Sequence, residues 1–461
     1  MGADGHPDGV FATPALVDLD GDGLLDVLVG GFDQHLYGLR YDGTAAPGWP
    51  FFLYDSTWSS AAVGDLDRDG EIEIVTTAYT HAGFPPGYPT VNGGGIMWVL
   101  DTEGNVESGW PQVFDLHLDS SPALGDLDGD HDLEIVIGTG HEPGTTRGHE
   151  VHALHHDGTP VDGWPAPTSD YVWPSPAVAD LDGDGRDEVV ISCKDGKLYA
   201  WDDDGTTFPG DWPVEPLNEN GINGGMSGSP VVADLDNNDD LEILVPIGWD
   251  LVGFNHDGSF FKYGAETQLR MHTLYTLGST PTIADIDHNN RLDVIIGSAT
   301  NADFNQGRLY VWELPVEAVP GEMPWPMWRQ NSLRTGCSPL SPLLAASPAS
   351  LLAFHQYGDT ADPVISLSVE NQGDGEIAWS GAPSNPTRVS LSSDSGSVST
   401  DRQQIEVTID ASGFMTGTYD LGTITITGTV ESEAADGSPV TVPVSLYVGD
   451  VFKNFLSLVI E

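Results

Sequence analysis

The sequence predicts an all-β protein, with a β-propeller over residues 1–337 and a smaller β-sandwich after it. A nine-residue acidic loop occurs six times in the first part of the chain, and short apolar runs flank every copy. These two features indicate small antiparallel sheets repeated along the chain. After residue 337 the acidic loop is lost and alternating strand patterns replace it, which indicates a separate β domain.

The acidic loop has a fixed pattern of oxygen donors. Its first, third and fifth positions carry carboxylate or amide oxygens, and its ninth position is always acidic. Hard oxygen donors at alternate residues let a curled loop surround a cation that takes about six to eight oxygens, as Ca²⁺ does. We therefore expect about six structural calcium ions, one in each loop. The expected ligands, in chain order, are Asp18, Asp20, Asp22 and Asp26; Asp65, Asp67, Asp69 and Glu73; Asp126, Asp128, Asp130 and Glu134; Asp180, Asp182, Asp184 and Glu188; Asp234, Asp236, Asn238 and Glu242; and Asp285, Asp287, Asn289 and Asp293.

The backbone of the loop also constrains its sequence. The sixth position needs a residue that tolerates a positive φ. An EF-hand would carry a bidentate Glu at position twelve, whereas position twelve here is Val, Ile or Thr in every copy, so the loops are not EF-hands. The sixth positions hold Gly23, Gly70, His131, Gly185, Asp239 and Asn290.

The runs beside the loop predict strands. A small and apolar run such as residues 13–17 precedes each loop, and a β-branched run such as residues 27–30 follows it. Runs of this length bounded by Gly and Pro are typical of buried strands, so the loop joins two strands. A third alternating run follows, as at residues 36–39, and most copies then turn at Asp-Gly or Glu-Gly.

A Trp-Pro pair closes the unit. Proline suits an outer edge strand because its missing amide costs no ladder hydrogen bond there, and the Trp can cover the gap to the next sheet. The fifth unit has residues 260–263 (FFKY) in place of this pair. We predict residues 324–328 as the closing strand of the sixth unit, without exchange of strands between units. The Trp residues of these pairs are Trp49, Trp110, Trp164, Trp212 and Trp325.

The spacing of the units predicts a propeller. The first aspartates of the loops follow one another at intervals of 47, 61, 54, 54 and 51 residues. Four short strands at such intervals fit propeller blades better than the shorter repeats of most solenoids. We read six blades from these units.

The repeat resembles the FG-GAP or VCBS family, the calcium-loop propellers known from integrin α subunits and many secreted microbial proteins. The resemblance rests on the Asp-x-Asp-x-Asp/Asn-x-x-x-Asp/Glu loop and the strand before it, and it covers about residues 10 to 335. It implies a calcium-binding propeller. The family commonly closes seven blades, so this chain has either six blades or a seventh that its loops do not reveal.

Charge and composition bound the partners and the location. The formal charge is −56, from 71 acidic and 15 basic residues, which excludes nucleic acid because phosphate binding needs Lys and Arg. Calcium loops of this kind outside cells bind at roughly 10⁻⁴ to 10⁻³ M, so we expect an extracellular or cell-surface monomer.

No stretch is long and apolar enough to span a bilayer. Cys193 and Cys337 give no disulfide framework. Residues 1–10 show no signal peptide, which suggests a processed or truncated start.

The C-terminal region predicts a β-sandwich. Residues 338–350 are rich in Ser, Pro, Leu and Ala and predict a linker. Residues 351–450 carry short alternating strands separated by turn clusters, typical of a seven-strand immunoglobulin-like sandwich. Through the Asn371-x-Gly373-x-Gly375 turn and Gly417-Thr418-Tyr419 this region looks similar to BACON-type domains, which implies carbohydrate binding or a spacer role. Residues 451–461 form a tail too short to span a membrane.

No catalytic group stands out. The histidines at 141, 149, 152, 155 and 156 do not form a His-Glu-x-x-His motif, and His152 takes the slot that Tyr37 and Tyr199 hold in other units, so a structural role is favoured. We expect a non-catalytic module that binds a glycan or a protein through the long loops at residues 79–92, 141–149 and 218–226. The alternative is a calcium-dependent polysaccharide lyase, which would need a basic residue such as Arg270 or Lys194 beside a substrate carboxylate.

Overall fold

The computed structural model confirms the all-β fold class. Among the described residues there are strands and turns but no helix, and hence no helix able to cross a membrane. The chain divides into two compact units between Ser338 and Pro339. The structure describes residues 9–22, 24–67, 69, 71–80, 94–130, 132–140, 149–216, 228–238, 240–263, 267–273, 276–277, 279–299, 307–318, 323–325, 327, 329–331, 335–337, 344–348, 350–357, 361–371, 377–398, 403–430, 433–434 and 438–449.

The described part of the first unit contains seven antiparallel sheets, one of which is a two-stranded pair. The other six follow one another along the chain, and we call them blades one to six. In blades one to five the strands pair in chain order from the first strand outward, and the first strand is here called the inner strand. Blade one comprises β1 (Ala15–Val17), β2 (Asp26–Gly30), β3 (His35–Leu39) and β4 (Phe51–Phe52). Blade two comprises β5 (Ala62–Gly64), β6 (Glu73–Tyr79), β7 (Gly95–Leu100) and β8 (Gln112–Phe114). Blade three comprises β9 (Ala123–Gly125), β10 (Glu134–Gly138), β11 (Glu150–Leu154) and β12 (Ala166–Pro167).

The last three blades vary this pattern. Blade four comprises β13 (Ala177–Ala179), β14 (Glu188–Ser192) and β15 (Leu198–Trp201), and Leu198 also bridges to Val214, where a fourth strand would run. Blade five comprises β16 (Val231–Ala233), β17 (Glu242–Ile247), β18 (Asp250–Asn255) and β21 (Arg270–His272), with a separate pair of β19 (Lys262–Tyr263) and β20 (Thr267–Gln268). In blade six, β22 (Thr276–Leu277), β23 (Thr282–Ala284) and β25 (Gly307–Glu317) all pair with the long strand β24 (Arg291–Ala299).

A ladder of hydrogen bonds places the blades in succession. Just before its inner strand, each of the first five blades donates a backbone amide to a side-chain hydroxyl of the next blade. Neighbouring inner strands from β1 to β16 also lie side by side. This is the arrangement of a β-propeller, which confirms the predicted architecture with six blades among the described residues. The ladder runs from Thr13 to Ser60 (2.8 Å), Ser60 to Ser121 (2.9 Å), Ser121 to Ser175 (3.1 Å), Ser175 to Ser229 (2.9 Å) and Ser229 to Thr280 (3.3 Å).

The core of this unit lies between the blades. Apolar side chains from the second strands of blades three, four and five, such as Val136, Val189 and Ile243, are fully buried in one continuous cluster. Burial of such residues is the main favourable term in folding. The interfaces between blades, rather than one central core, therefore hold the propeller together.

The tryptophans of the Trp-Pro pairs tie four blades to their successors, as expected. Each indole Nε1 donates to a backbone carbonyl in the turn after the third strand of the next blade. Blade five has no such tryptophan, and the strand outside β18 there is β21. The bonds run from Trp49 to Thr102 (2.9 Å), Trp110 to His156 (2.7 Å), Trp164 to Asp203 (2.9 Å) and Trp212 to His256 (2.9 Å).

The predicted closing strand of blade six at residues 324–328 is wrong for the residues that the structure describes there. Trp325 exchanges two backbone hydrogen bonds, of 2.8 and 3.1 Å, with Val232 of the inner strand β16. Further along, the carbonyls of Thr335 and Gly336 accept the amides of Val63 in β5 and Leu124 in β9. Trp325 is buried, and it lies on the edge of β16 that faces away from β17. The chain therefore returns along inner strands of other blades, because burial of Trp325 there outweighs pairing at the exposed edge of β25.

The second unit is a β-sandwich, as predicted, with one four-stranded and one six-stranded sheet. Buried residues of both sheets, including Trp379, form its core. Its described residues form ten strands instead of the expected seven, and β26 falls within the predicted linker because Leu344 is buried against this core. The tail at residues 451–461 lies outside the described residues. The strands are β26 (Leu344–Ser347), β27 (Leu351–Gln356), β28 (Val364–Asn371), β29 (Ile377–Pro383), β30 (Val389–Leu391), β31 (Ser395–Val398), β32 (Gln403–Ile409), β33 (Gly417–Val430), β34 (Glu433–Ala434) and β35 (Val440–Gly449).

Candidate metal centres and the opposite face

The six acidic loops occupy equivalent places in the fold. In blades one to five each loop joins the inner strand to the second strand, and in blade six it joins β23 to β24. All six loops therefore lie at the same edge of their sheets. The ninth residue lies in that following strand and is buried in every copy. Its carboxylate accepts the backbone amide of the loop's second residue, which closes the loop. The closing bonds run from Leu19 to Asp26 (3.3 Å), Leu66 to Glu73 (2.7 Å), Leu127 to Glu134 (2.8 Å), Leu181 to Glu188 (2.6 Å), Leu235 to Glu242 (2.7 Å) and Ile286 to Asp293 (3.2 Å).

The other loop oxygens also accept backbone amides of their own loop. In the fourth copy, Asp180 accepts the amides of Gly183 (2.7 Å) and Asp184 (3.1 Å), and Asp184 accepts that of Arg186 (3.0 Å). These bonds curl the chain so that its side-chain oxygens converge. The converging atoms of the first, third and fifth residues lie within 4.8 Å of one another in copies one, three and four, and so do those of Asp65, Asp67 and Glu73 in copy two.

The backbone has a second special position that the sequence reasoning missed. Of the sixth positions, Gly185 and Asn290 have the expected positive φ, and the other four lie outside the described residues. The fourth position also has a positive φ in all five copies where it is described. Glycine or asparagine there was the signal in four of these copies. The fourth positions are Gly21 (70°), Gly129 (76°), Gly183 (75°), Asn237 (57°) and His288 (58°).

Repulsion between carboxylates makes the acidic loops electrostatically unfavourable in the absence of a cation. Burial, together with the negative charge of the aspartates in the same loops, raises the pKa of Glu73, Glu134 and Glu242 to about 8 and that of Glu188 to about 9. In each of these loops the carboxylate of the ninth residue is therefore unfavourable in its charged form, because it is buried and lies close to other carboxylates. A divalent cation would offset this repulsion. The donor side chains at the first, third, fifth and ninth positions are carboxylates or amides in all six loops, which fits a hard ion such as Ca²⁺.

A further residue faces each loop from the third strand of the blade or from the position directly after that strand. The strand register places it opposite the ninth position, two residues before the Asp-Gly or Glu-Gly turn where that turn exists. Sequence reasoning missed this position, although its place before the turn was a visible signal. The facing residues are Arg40, Asp101, His155, Asp202, Asn255 and Glu313 in loops one to six.

The histidines have structural partners. His152 pairs with Ile137 at the register where Tyr37 pairs with Val29, and its ring packs edge-on against Phe114 at 5.2 Å. Burial lowers the pKa of His152. His155 approaches Glu134 of the third loop at 3.1 Å. Residues 141–148 lie outside the described residues.

The edge opposite the acidic loops is here called the far face. Antiparallel strands reverse direction, so the second-to-third turns and the connections between blades lie there. Three tryptophans on it are about half exposed: Trp58 (46%), Trp173 (45%) and Trp249 (50%). Of the predicted recognition loops, residues 81–92, 141–148 and 218–226 lie outside the described residues.

Each of these tryptophans is held by a neighbour. Trp58 packs against Phe11 and Phe32, with ring centroids 4.8 Å apart in both pairs. Trp173 packs against Tyr171 at 5.0 Å, and the Nζ of Lys194 lies 5.3 Å from its ring. Trp249 meets His272 edge-on at 6.5 Å. The exposed indoles are therefore fixed in orientation rather than free to turn.

An ion cluster lies beside Trp249. Asp250 is fully buried, and its two oxygens contact the Nη1 of Arg270 and the Nδ1 of His272, each at 2.7 Å. Arg270 and His272 belong to β21, the strand farthest from the inner strand of blade five. The predicted basic candidate Arg270 is thus paired with Asp250 and lies in the outermost strand of blade five.

The chain is similar to several solved structures at low sequence identity. The V. cholerae biofilm matrix protein Bap1 is 16% identical, with 95% of this chain and 66% of that chain covered at a TM-score of 0.39. The exotype rhamnogalacturonan lyase YesX is 17% identical over 79% of this chain and 64% of that chain, at 0.44. The rhamnogalacturonan lyase YesW is 14% identical, with 73% of this chain and 79% of that chain covered at a TM-score of 0.38. The chain spans less than two thirds of the length of the first two. These likenesses concern the fold alone.

Sequence comparison identifies the repeat. No curated protein matches the chain. The model of the FG-GAP-like repeat matches two segments, each of which begins at the first aspartate of an acidic loop. The chain therefore carries FG-GAP-like repeats, at residues 18–76 and 180–245.

Proposed function

We propose that the protein is an extracellular binding protein whose propeller is stabilised by calcium and whose far face recognises a glycan. The observation that carries this proposal is the set of three half-exposed, fixed tryptophans on that face. Aromatic side chains that combine an apolar ring with a polar group are enriched at interaction sites, and loops on a rigid scaffold are where such sites usually lie. An indole offers a flat apolar surface with a polar N–H, which suits the C–H face and the hydroxyls of a sugar ring.

Calcium would supply the rigidity that such a face needs. Each acidic loop joins the two strands that start a blade, so an ion there would fix the blade's geometry. Because the neighbours already hold the indoles, little conformational entropy would be lost when a ligand binds. An affinity for calcium of roughly 10⁻⁴ to 10⁻³ M would suit the extracellular medium.

The test is binding of the whole chain, in calcium, to a panel of neutral and uronate-containing polysaccharides, followed by fluorescence titration with the strongest binder. We expect Trp58→Ala, Trp173→Ala or Trp249→Ala to weaken binding by about tenfold each. Tyr41→Ala is the control, because Tyr41 is also an exposed aromatic residue (62%) but follows β3 at the edge of the acidic loops. Equal losses for Tyr41→Ala and the tryptophan variants would contradict the proposal, and binding only to proteins would favour a protein ligand instead.

A polysaccharide lyase is the second candidate. The cluster of Asp250, Arg270 and His272 beside Trp249 favours it, because a carboxylate-oriented imidazole can act as a base and an arginine can bind a uronate. Incubation with uronate polymers should then release unsaturated products that absorb in the ultraviolet. His272→Ala should abolish that release while leaving calcium binding intact. Binding without any release would exclude this candidate for the polymers tested.

A further inference from the structure

The six acidic loops differ most in the residue that faces them from the third strand. In loops two, four and six this residue is acidic (Asp101, Asp202 and Glu313), and in loop five it is the amide Asn255. Both oxygens of Asp101 accept hydrogen bonds from Asn105 in their own turn. Oε2 of Glu313 instead accepts a hydrogen bond from Nδ2 of Asn289 in loop six. Loop one is the opposite case, because its facing residue is Arg40.

The guanidinium of Arg40 lies against loop oxygens that calcium would need. Its Nη2 is 2.6 Å from Oδ2 of Asp20 and 3.0 Å from Oδ2 of Asp22, the third and fifth positions of the loop. The side chain is only one third exposed. A guanidinium in this position satisfies two carboxylates with charge-assisted hydrogen bonds. A calcium ion at the same oxygens would have to displace it or lie beside a like charge.

The two described arginines closest to other loops behave differently. Arg186, at the seventh position of loop four, pairs with Asp203 in the turn of the same blade. Arg291, at the seventh position of loop six, pairs with Glu313 of the third strand at 3.1 Å. Among the described residues, neither arginine forms an ion pair with the third or fifth residue of its own loop. Among the described arginines, occupation of loop oxygens by a guanidinium is thus seen at loop one.

We propose that the first acidic loop does not bind calcium, because Arg40 serves as its built-in cation. This inference rests on the proposed calcium binding of the other loops. The first blade would then keep its shape when calcium is scarce, whereas the loops of the other blades would depend on the ion. The protein would hold one calcium ion fewer than it has acidic loops.

The test is to count bound calcium by native mass spectrometry of the full chain at saturating calcium. We expect Arg40→Gln to bind one ion more than the wild type, and the matched control Arg291→Gln to bind the same number as the wild type. Two further variants test the proposal even if Arg40→Gln fails to fold. Asp18→Asn should leave the count unchanged, whereas Asp180→Asn should lower it by one.

The outcomes separate the two proposals. An unchanged count in Arg40→Gln, or a loss of one ion in Asp18→Asn, would overturn the assignment of Arg40 while calcium binding by the other loops stands. A protein that holds no calcium in any variant would overturn the proposed metal function itself, and this inference with it.

Discussion

The carboxylate of Glu134 accepts the backbone amide of Leu127 at 2.8 Å and closes the third acidic loop from inside the protein, where Glu134 is 0% exposed. The same bond between the ninth and second residues occurs in all six loops. The ninth residue therefore links the loop to the strand that follows it. If the loop binds an ion through this carboxylate, as we propose, the ion would be connected directly to the sheet.

Removal of this carboxylate should destabilise the propeller. Glu134→Ala would leave the Leu127 amide without its acceptor and create a small cavity, and we expect a loss of about 2 to 4 kcal/mol in the free energy of unfolding. Urea denaturation in the presence of calcium measures it. Glu406→Gln, at an exposed position of the sandwich, is the control and should change stability by less than about 0.5 kcal/mol. A loss for Glu134→Ala no larger than that of the control would contradict the structural role.

Chelation of calcium should lower the melting temperature of the first unit. A ligand that binds only the folded state at about a thousand times its dissociation constant adds about 4 kcal/mol for each independent site. Calorimetry with EDTA, and again after calcium is restored, would measure the shift. The transition of the sandwich should not move, because its described residues carry none of the acidic loops. Identical melting of both units before and after chelation would be evidence against structural calcium.

Two glycines with nearly the same backbone geometry should respond differently to substitution. Gly43 (φ +82°) has open space where a Cβ would lie, whereas a Cβ on Gly48 (φ +85°) would lie 1.8 Å from the carbonyl oxygen of Glu103 in the next blade. Gly43→Ala should cost only the left-handed strain of about 1 to 2 kcal/mol. Gly48→Ala should cost clearly more, because the blades must move apart and the bond of Trp49 to Thr102 is lost with them.

Thermal unfolding of both glycine variants, with the wild type alongside, checks this difference. If the two substitutions lower the melting temperature equally, close contact between blades one and two does not contribute to stability at this point.

The features that sequence patterns predicted well are the local ones. The strands beside the loops, the Asp-Gly turns and the interblade tryptophans follow from periodicity, from the backbone freedom of Gly and from the fit of Pro at an edge. Trp164 illustrates this, since its indole bonds to the next blade as its place beside Pro165 suggested. The ligands of the loops remain a prediction, although the geometry of their oxygens supports it.

The features that the sequence patterns missed are long-range. The residues that face the loops, such as Arg40, come from a strand more than ten positions away, and only the strand register brings them opposite the ninth position. The path of Trp325 along β16 was missed for the same reason, because a Trp-Pro pair is locally identical whether it closes its own blade or returns to another. Local propensity does not determine which strand this segment pairs with, because the pairing depends on the apolar surface that other blades offer for burial.

This returning segment carries the last prediction, which concerns Arg329. The residue is 1% exposed, and its guanidinium donates to the carbonyls of Ala61 and Pro122, immediately before the inner strands of blades two and three. Arg329→Met would fill similar space but leave both carbonyls without this donor. Breaking hydrogen bonds of a buried charged group typically costs about 3 kcal/mol or more.

Arg329→Met should therefore lower the free energy of unfolding by about 3 kcal/mol, and the neighbouring Gln330→Met, which loses one neutral bond to the Pro324 carbonyl, by about 1 kcal/mol. Urea denaturation of both variants measures the difference. Replacement of a buried ion by a hydrophobic residue can also stabilise a protein when desolvation outweighs the bonds. An increase in stability for Arg329→Met would mean that desolvation of the guanidinium costs more than its contacts contribute, so that it does not hold blades two and three together.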